Sequence, residues 1–282
     1  MHIVYFFLPQ ALSRMTDTNN STLSNEHMGH IINNPQERNA ELASVNKRTD
    51  FYNGSHCAHY DQFRLFSAFQ PVYSIAHRRI VGLEGLLRCV DKDKNNVPPW
   101  NLFAQCSNDD VVILDKLCQS IHINNFLALD VENIWLFLNV NPRSLNDVKT
   151  FVDYLESLII ELGIPASRIV IEVLETGVAS EQSLEDVIKF YKDLDCLIAI
   201  DDFGVGHSNF ERIWRIQPDI VKFDRGMIKK AGQSSYIQSM MKGVVSLLHE
   251  NRCIVLAEGI ENKKEAIACM DANVDLVQGF YF

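Results

Sequence analysis

The chain has 282 residues, 47% of them hydrophobic and 22% charged. That balance supports one large folded domain or two small ones and excludes a wholly disordered protein. A formal net charge of −10, from 26 basic and 36 acidic side chains, excludes the basic footprint that grips DNA. A phosphate ester would still bind such a chain if metal ions stood between it and the carboxylates.

Residues 3–12 are apolar but lack a basic leader and a small-residue cleavage site, so they read as a docking strand or short helix rather than a signal peptide. Residues 1–60 as a whole are predicted to be a polar, flexible N-terminal segment, rich in Asn, Ser, Thr, His and Glu with little periodicity. Its His27/His30 and His56/Cys57/His59 spots are read as solvated, because no second cluster follows at zinc-finger spacing. No apolar run reaches the roughly 18 residues of a membrane span. The seven Cys are scattered, none at C-x-x-C spacing, which is the pattern of reduced, buried thiols in a cytoplasmic protein.

Residues 61–282 form a second, regular region. Hydrophobic runs occur at 64–74, 79–88, 134–140, 168–174, 197–203, 219–224, 253–258 and 274–280. The first two are joined by Ala76-His77-Arg78 and predict an antiparallel hairpin. The later runs alternate with helical periodicity at about 109–128, 144–162, 181–194, 208–215, 234–250 and 262–271. Eight nearly continuous apolar strands with helices between them predict an α/β fold, a modified (β/α)8 barrel with one antiparallel strand.

Polar residues interrupt this pattern at the strands' C-terminal ends: Glu84, Asn139, Glu172 followed by Glu175, Asp201-Asp202, Lys222 and Asp224, Glu258, and Gln278. Those ends meet on one face of a barrel, where its chemistry sits. A carboxylate in a hydrophobic strand is costly unless paired or metal-bound. Five around one ring imply hard divalent cations of the Mg2+ or Mn2+ class. The adjacent aspartates favour two ions, the usual clamp for in-line attack on a phosphodiester.

Eight ordered stretches carry a family resemblance: FQPVYS (69–74), GLEGLLR (82–88), LNVNPRSL (138–145), IEVLET (171–176), DDFGVGHSNF (201–210), VKFD (221–224), AEGIE (257–261) and QGFYF (278–282). From about Phe69 to the last residue the chain resembles the EAL-domain cyclic di-GMP phosphodiesterases of bacterial signalling. The resemblance implies hydrolysis of cyclic di-GMP to linear pGpG, with inhibition by Ca2+. It implies that Glu84, Asn139, Glu172 and Asp201 ligate a first metal. Asp202 and Glu258, with Asp201 bridging, would hold a second. Lys222 would orient the attacking water, and Glu175 would anchor the loop after Asp202. With Glu84 and Glu258 these two complete the implied catalytic set. Gln70, Arg88, Asp224 and Gln278 would contact substrate, Glu261 would support the second metal, and the loop after Asp202 would serve a homodimer.

The chain departs from the family in three places. The signature reads Glu84-Gly85-Leu86, with Gly for Ala. Val173-Leu174 replaces Ile-Thr, removing a hydroxyl. The loop carries Val205, His207, Asn209 and Phe210 where the family has other residues. The family also continues with a closing helix, whereas this sequence ends at Phe282, so either the chain is shortened or the barrel closes differently, with the N-terminal segment. The alternative reading is a non-catalytic cyclic di-GMP receptor or protein-interaction module. A third is a barrel lyase or aldolase using Lys222 as a Schiff base.

Overall fold

The computed structural model describes residues 35–174, 181–204 and 210–282. Helix α1 (Pro35–Asn46) leads into strands β1 (Thr49–Tyr52), β2 (Ser55–Tyr60), β3 (Phe63–Ser74) and β4 (Arg79–Val90). Then come β5 (Asn96–Val97), α2 (Pro99–Gln105), α3 (Asn108–Ala128) and β6 (Trp135–Asn139). A 3-10 helix (Pro142–Asp147) precedes α4 (Val148–Leu162), followed by β7 (Ile169–Leu174), α5 (Glu181–Asp193), β8 (Leu197–Phe203) and α6 (Phe210–Ile216). The chain continues through β9 (Ile220–Phe223), α7 (Arg225–Ala231), α8 (Ser235–Glu250), β10 (Ile254–Ala257), α9 (Lys263–Asp271) and β11 (Leu276–Val277).

Eight strands close into a ring in the order β3-β11-β10-β9-β8-β7-β6-β4, with β4 returning to β3. Strand β3 runs antiparallel to both ring neighbours, and the other ring pairings are parallel. This is the expected barrel with its single reversed strand.

Strand side chains alternate between faces, so residues two apart share a face. One small cluster is made of Val72, Val81, Phe137, Val170, Ala199, Ile220, Leu256 and Leu276. Two residues further along six of these strands stand Asn139, Glu172, Asp201, Lys222, Glu258 and Gln278. The period therefore builds an apolar layer and, one step above it, a polar one. Phe137 is fully buried there, worth about 2–3 kcal/mol. It approaches β4 so closely that a Cβ on Gly82 would lie 2.5 Å from its ring. The second, larger cluster packs the outside of the barrel against the helices.

The expectation of a flexible segment over residues 1–60 is corrected for 35–60. Strand β2 pairs antiparallel with β3 over Cys57–Tyr60, and Cys57 and Ala58 are fully buried. Leu42 and Val45 of α1 enter the main core, and Glu41 meets the buried Lys116 ammonium. A few apolar side chains and a strand edge order this polar stretch, because the barrel supplies the surface that they cover. His27 and His30 lie outside the described residues.

Other details also differ from expectation. The eighth barrel strand is two residues long, the helix expected from 144 begins as a 3-10 turn, and α2, α7 and β5 had no counterpart. Trp100 and Trp214 are exposed. All seven cysteines are free and buried. Among the described residues no helix is long and apolar enough to cross a membrane.

Candidate active site

The polar layer converges on Lys222, whose side chain is 1% exposed. Its Nζ lies 2.5 Å from Glu172 Oε1, 2.6 Å from Glu258 Oε1, 3.3 Å from Asp201 Oδ1 and 3.9 Å from Glu84 Oε1. These groups come from β4, β7, β8, β9 and the end of β10, which only a closed barrel brings together. Asn139 donates from Nδ2 to Glu84 Oε1 at 3.0 Å, and Gln278 donates from Nε2 to Glu84 Oε2 at 2.7 Å. Gln70 stands directly opposite Glu84 in the β3–β4 ladder, so the two share a face.

One ammonium does not neutralise four carboxylates. Burial pushes the Glu172 carboxyl well above the usual range, and the neighbouring Glu84 charge adds to it. Burial likewise raises Glu258 to about 7 against the pull of Lys222. Burial also works on Glu84, but the Lys222 charge and the Asn139 and Gln278 hydrogen bonds outweigh it and hold that carboxyl below its ordinary value. Burial alone would lower the Lys222 pKa; the carboxylates, Glu172 foremost, override this and keep it well above the lysine range. A lysine held protonated in this way is no Schiff-base nucleophile.

The donor set fits a divalent cation. One carboxylate oxygen each from Glu84, Glu172 and Glu258 lie within 4.8 Å of one another. Glu172 Oε2 and Gln278 Oε1 are buried without a hydrogen-bond partner among the described residues. Hard oxygen atoms left unpaired in a dry pocket are what ligation of a hard divalent cation satisfies.

Asp201 and Asp202 break the strand rule. Asp202 has φ +58°, and the β8–β9 register shifts between Ile200 and Phe203. A left-handed aspartate at a strand irregularity is the local strain expected at a functional site. Its backbone N–H donates to Asp201 Oδ1 at 2.8 Å.

The remaining predicted residues fall elsewhere. Asp224 caps α7, accepting from Gly226 N–H at 2.6 Å. Glu261 pairs with Arg225 at 2.6 Å. Arg88 is exposed on β4 and donates to the Leu87 carbonyl. Glu175 and His207 lie outside the described residues.

The structure also explains Gly85. A Cβ there would come within 2.9 Å of His122 Cγ, so the imidazole occupies the space of the family's alanine methyl. His122 is buried and accepts from or donates to Ser67 Oγ at 2.8 Å. Burial lowers its pKa to about 4. Asp115, also on α3, accepts from Asn141 N–H at 3.0 Å and Ser144 Oγ at 2.5 Å, fixing the turn beyond Asn139. Sequence reading passed over both residues, because the one visible signal was polar side chains inside an otherwise apolar helix.

The model of the EAL domain matches residues 59–282. This chain belongs to the EAL domain family. Among EAL relatives, it is 27% identical over 226 residues to the probable cyclic di-GMP phosphodiesterase PdeN of Escherichia coli, covering 77% of this chain and 43% of that protein. It is 24% identical over 252 residues to the cyclic di-GMP phosphodiesterase RocR of Pseudomonas aeruginosa, covering 87% and 62%. The chain thus spans about half the length of these curated relatives. Among solved EAL structures, the manganese and cyclic di-GMP complex of Klebsiella pneumoniae BlrP1 superposes with a TM-score of 0.71 at 25% identity, over 83% of this chain and 57% of that one. The cyclic di-GMP-bound standalone EAL protein of Vibrio cholerae gives 0.68 at 27% identity, over 79% and 92%.

Proposed function

We propose that this chain is a metal-dependent phosphodiesterase that hydrolyses cyclic di-GMP to linear pGpG. The observation that carries this reading is the convergence of Glu84, Glu172, Asp201 and Glu258 around one buried lysine. Relatives named as cyclic di-GMP phosphodiesterases and neighbours solved with that nucleotide support it.

Glu84, Asn139, Glu172 and Asp201 would hold one divalent ion, and Asp202 and Glu258, with Asp201 shared, a second. Mg2+ or Mn2+ bound there supplies Lewis acidity toward the phosphate oxygens and acidifies water. Lys222 keeps its proton, so its Nζ donates to an oxygen on the reacting phosphate or orients the attacking water. Asn139 and Gln278 fix both oxygens of Glu84. Gln70 and Arg88 bind the ligand, Arg88 as a phosphate partner on the rim. Asp224 and Glu261 act by shaping the α7 start and the turn after Glu258, and Glu175 anchors the loop after Asp202. In the overall reaction water adds to phosphorus in line, the P–O3′ bond breaks, and the leaving oxygen takes up a proton. A homodimer in the cytoplasm is the proposed setting.

Chromatography of the purified protein incubated with cyclic di-GMP and Mg2+ or Mn2+ tests the reading. Formation of pGpG is expected; no turnover with either ion refutes it. Light scattering tests the dimer.

A further inference from the structure

Gly85 leaves β4 without a side chain on its outer face, at the position next to Glu84. Strand faces alternate, so Glu84 and its cross-strand partner Gln70 point into the barrel while Gly85 and its partner Phe69 face α3. A glycine weakens a strand at such a point, because it offers nothing to pack. His122 of α3 supplies the missing packing. Its Cγ stands 2.9 Å from where a Gly85 Cβ would be, and its ring meets Phe69 edge-on with centroids 6.4 Å apart.

The imidazole is itself held in place. Asn125, one turn further along α3, is buried as His122 is. Its Oδ1 accepts from His56 N–H at 2.7 Å, and its Nδ2 donates to the His56 carbonyl at 2.8 Å. The carboxamide thus meets β2 as one more strand residue would, taking both backbone groups of His56. Nδ2 also donates to Ser67 Oγ at 3.1 Å. Ser67, on β3, is hydrogen-bonded to His122 Nδ1 at 2.8 Å. Its hydroxyl accepts from Asn125, which leaves its own proton for the ring. A continuous chain therefore runs from β2 through Asn125 and Ser67 to the imidazole on Gly85. Apolar residues would fill these places without desolvating polar groups, so the chain serves to specify one arrangement. Glu41 of α1 and the buried Lys116 fasten the same pre-barrel segment to the same helix.

Resting on the metal-site reading above, we propose that His122 is a positioning residue for Glu84, and that the pre-barrel strand β2 sets its place through Asn125 and Ser67. The ring touches neither metal nor substrate. It acts by fixing the β4 backbone from which the Glu84 carboxylate reaches the cation. A displacement of β2 therefore changes cation affinity at a site on the far side of two further strands.

The test measures Mn2+ affinity by electron paramagnetic resonance of the free ion, with the melting temperature in EDTA recorded beside it. His122→Ala is expected to weaken Mn2+ binding about tenfold. Adding Gly85→Ala to it should restore most of that affinity, since the methyl refills part of the space and stiffens β4. Asn125→Leu, which breaks the clamp on His56, should weaken binding about threefold or more in wild type but have no further effect in the His122→Ala/Gly85→Ala background. Ser67→Ala removes one hydroxyl and makes the same comparison if Asn125→Leu does not fold. A lower melting temperature with unchanged Mn2+ affinity in these variants makes the chain merely structural and overturns the inference. An equal loss of affinity in both backgrounds also overturns it, because the effect then bypasses His122. If wild type itself binds no Mn2+, the functional reading has failed and this inference falls with it.

Discussion

Replacing Lys222 with methionine isolates the electrostatics of the site. The four carboxylates and one ammonium carry a formal −3, which becomes −4 in Lys222→Met. The lost contacts include two at 2.5 and 2.6 Å to Glu172 and Glu258, from a side chain only 1% exposed. Removing one partner of a buried ion pair costs about 3–5 kcal/mol. A domain of this size loses about 2–4 °C per kcal/mol, so the EDTA-treated variant should melt roughly 10 °C below wild type. The deficit has a defined pH dependence. Without the ammonium, the folded carboxyls bind protons more tightly than the unfolded ones, so stability falls as pH rises from about 5 to 8. A cation replaces the missing positive charge; at a hundred times its dissociation constant it returns about 2.7 kcal/mol. Differential scanning calorimetry with EDTA and with Mn2+ measures both effects. Equal melting of variant and wild type in EDTA, or a cation effect no larger in the variant, would refute the charge argument.

Glu84→Ala should retain the fold but keep less than about a tenth of wild-type turnover, since metal-assisted hydrolysis needs its carboxylate to hold the ion; circular dichroism and the pGpG assay check this. Gly85→Ala should destabilise by about 1–3 kcal/mol through overpacking against His122, and pairing it with His122→Ala should recover much of that loss; denaturant titration of the two variants decides it. His122 is neutral in the fold with a pKa of about 4, against about 6.5 unfolded. The unfolded state therefore binds more protons between those values, and stability rises by about 3 kcal/mol as pH increases through that window. Asp115, raised to about 7 by burial, works in the opposite direction, so the diagnostic is the difference between wild type and His122→Gln; parallel melting curves across pH 4 to 6.5 would sink the assignment.

The barrel was legible because its strands follow local rules. Runs such as 134–140 and 197–203 are too apolar for any surface, and their polar residues fall two positions beyond Phe137 and Ala199. Residues 35–60 were misread for a complementary reason. Their order comes from pairing with β3 and from Lys116, partners that local composition does not display. Helix α3 was recognised but not its use. It is buried from Leu114 through Ile123, so no face distinguishes core from site, and Asp115, Gln119 and His122 look like ordinary breaks in an apolar pattern. Asp224, two positions after the buried Lys222, caps α7, a contact that its place in the strand-end pattern does not display.

Chemical type and strand period, both properties of the linear chain, determined that carboxylates, an asparagine, a lysine and a glutamine stand at the strand ends of a barrel. Which oxygen meets which nitrogen was decided only by ring closure. Glu84 and Gln278 are 194 positions apart and 2.7 Å in space. Such a separation is set by the long-range packing of eight strands, in which burial and mutual charge, rather than residue identity, dictate where protons and cations reside.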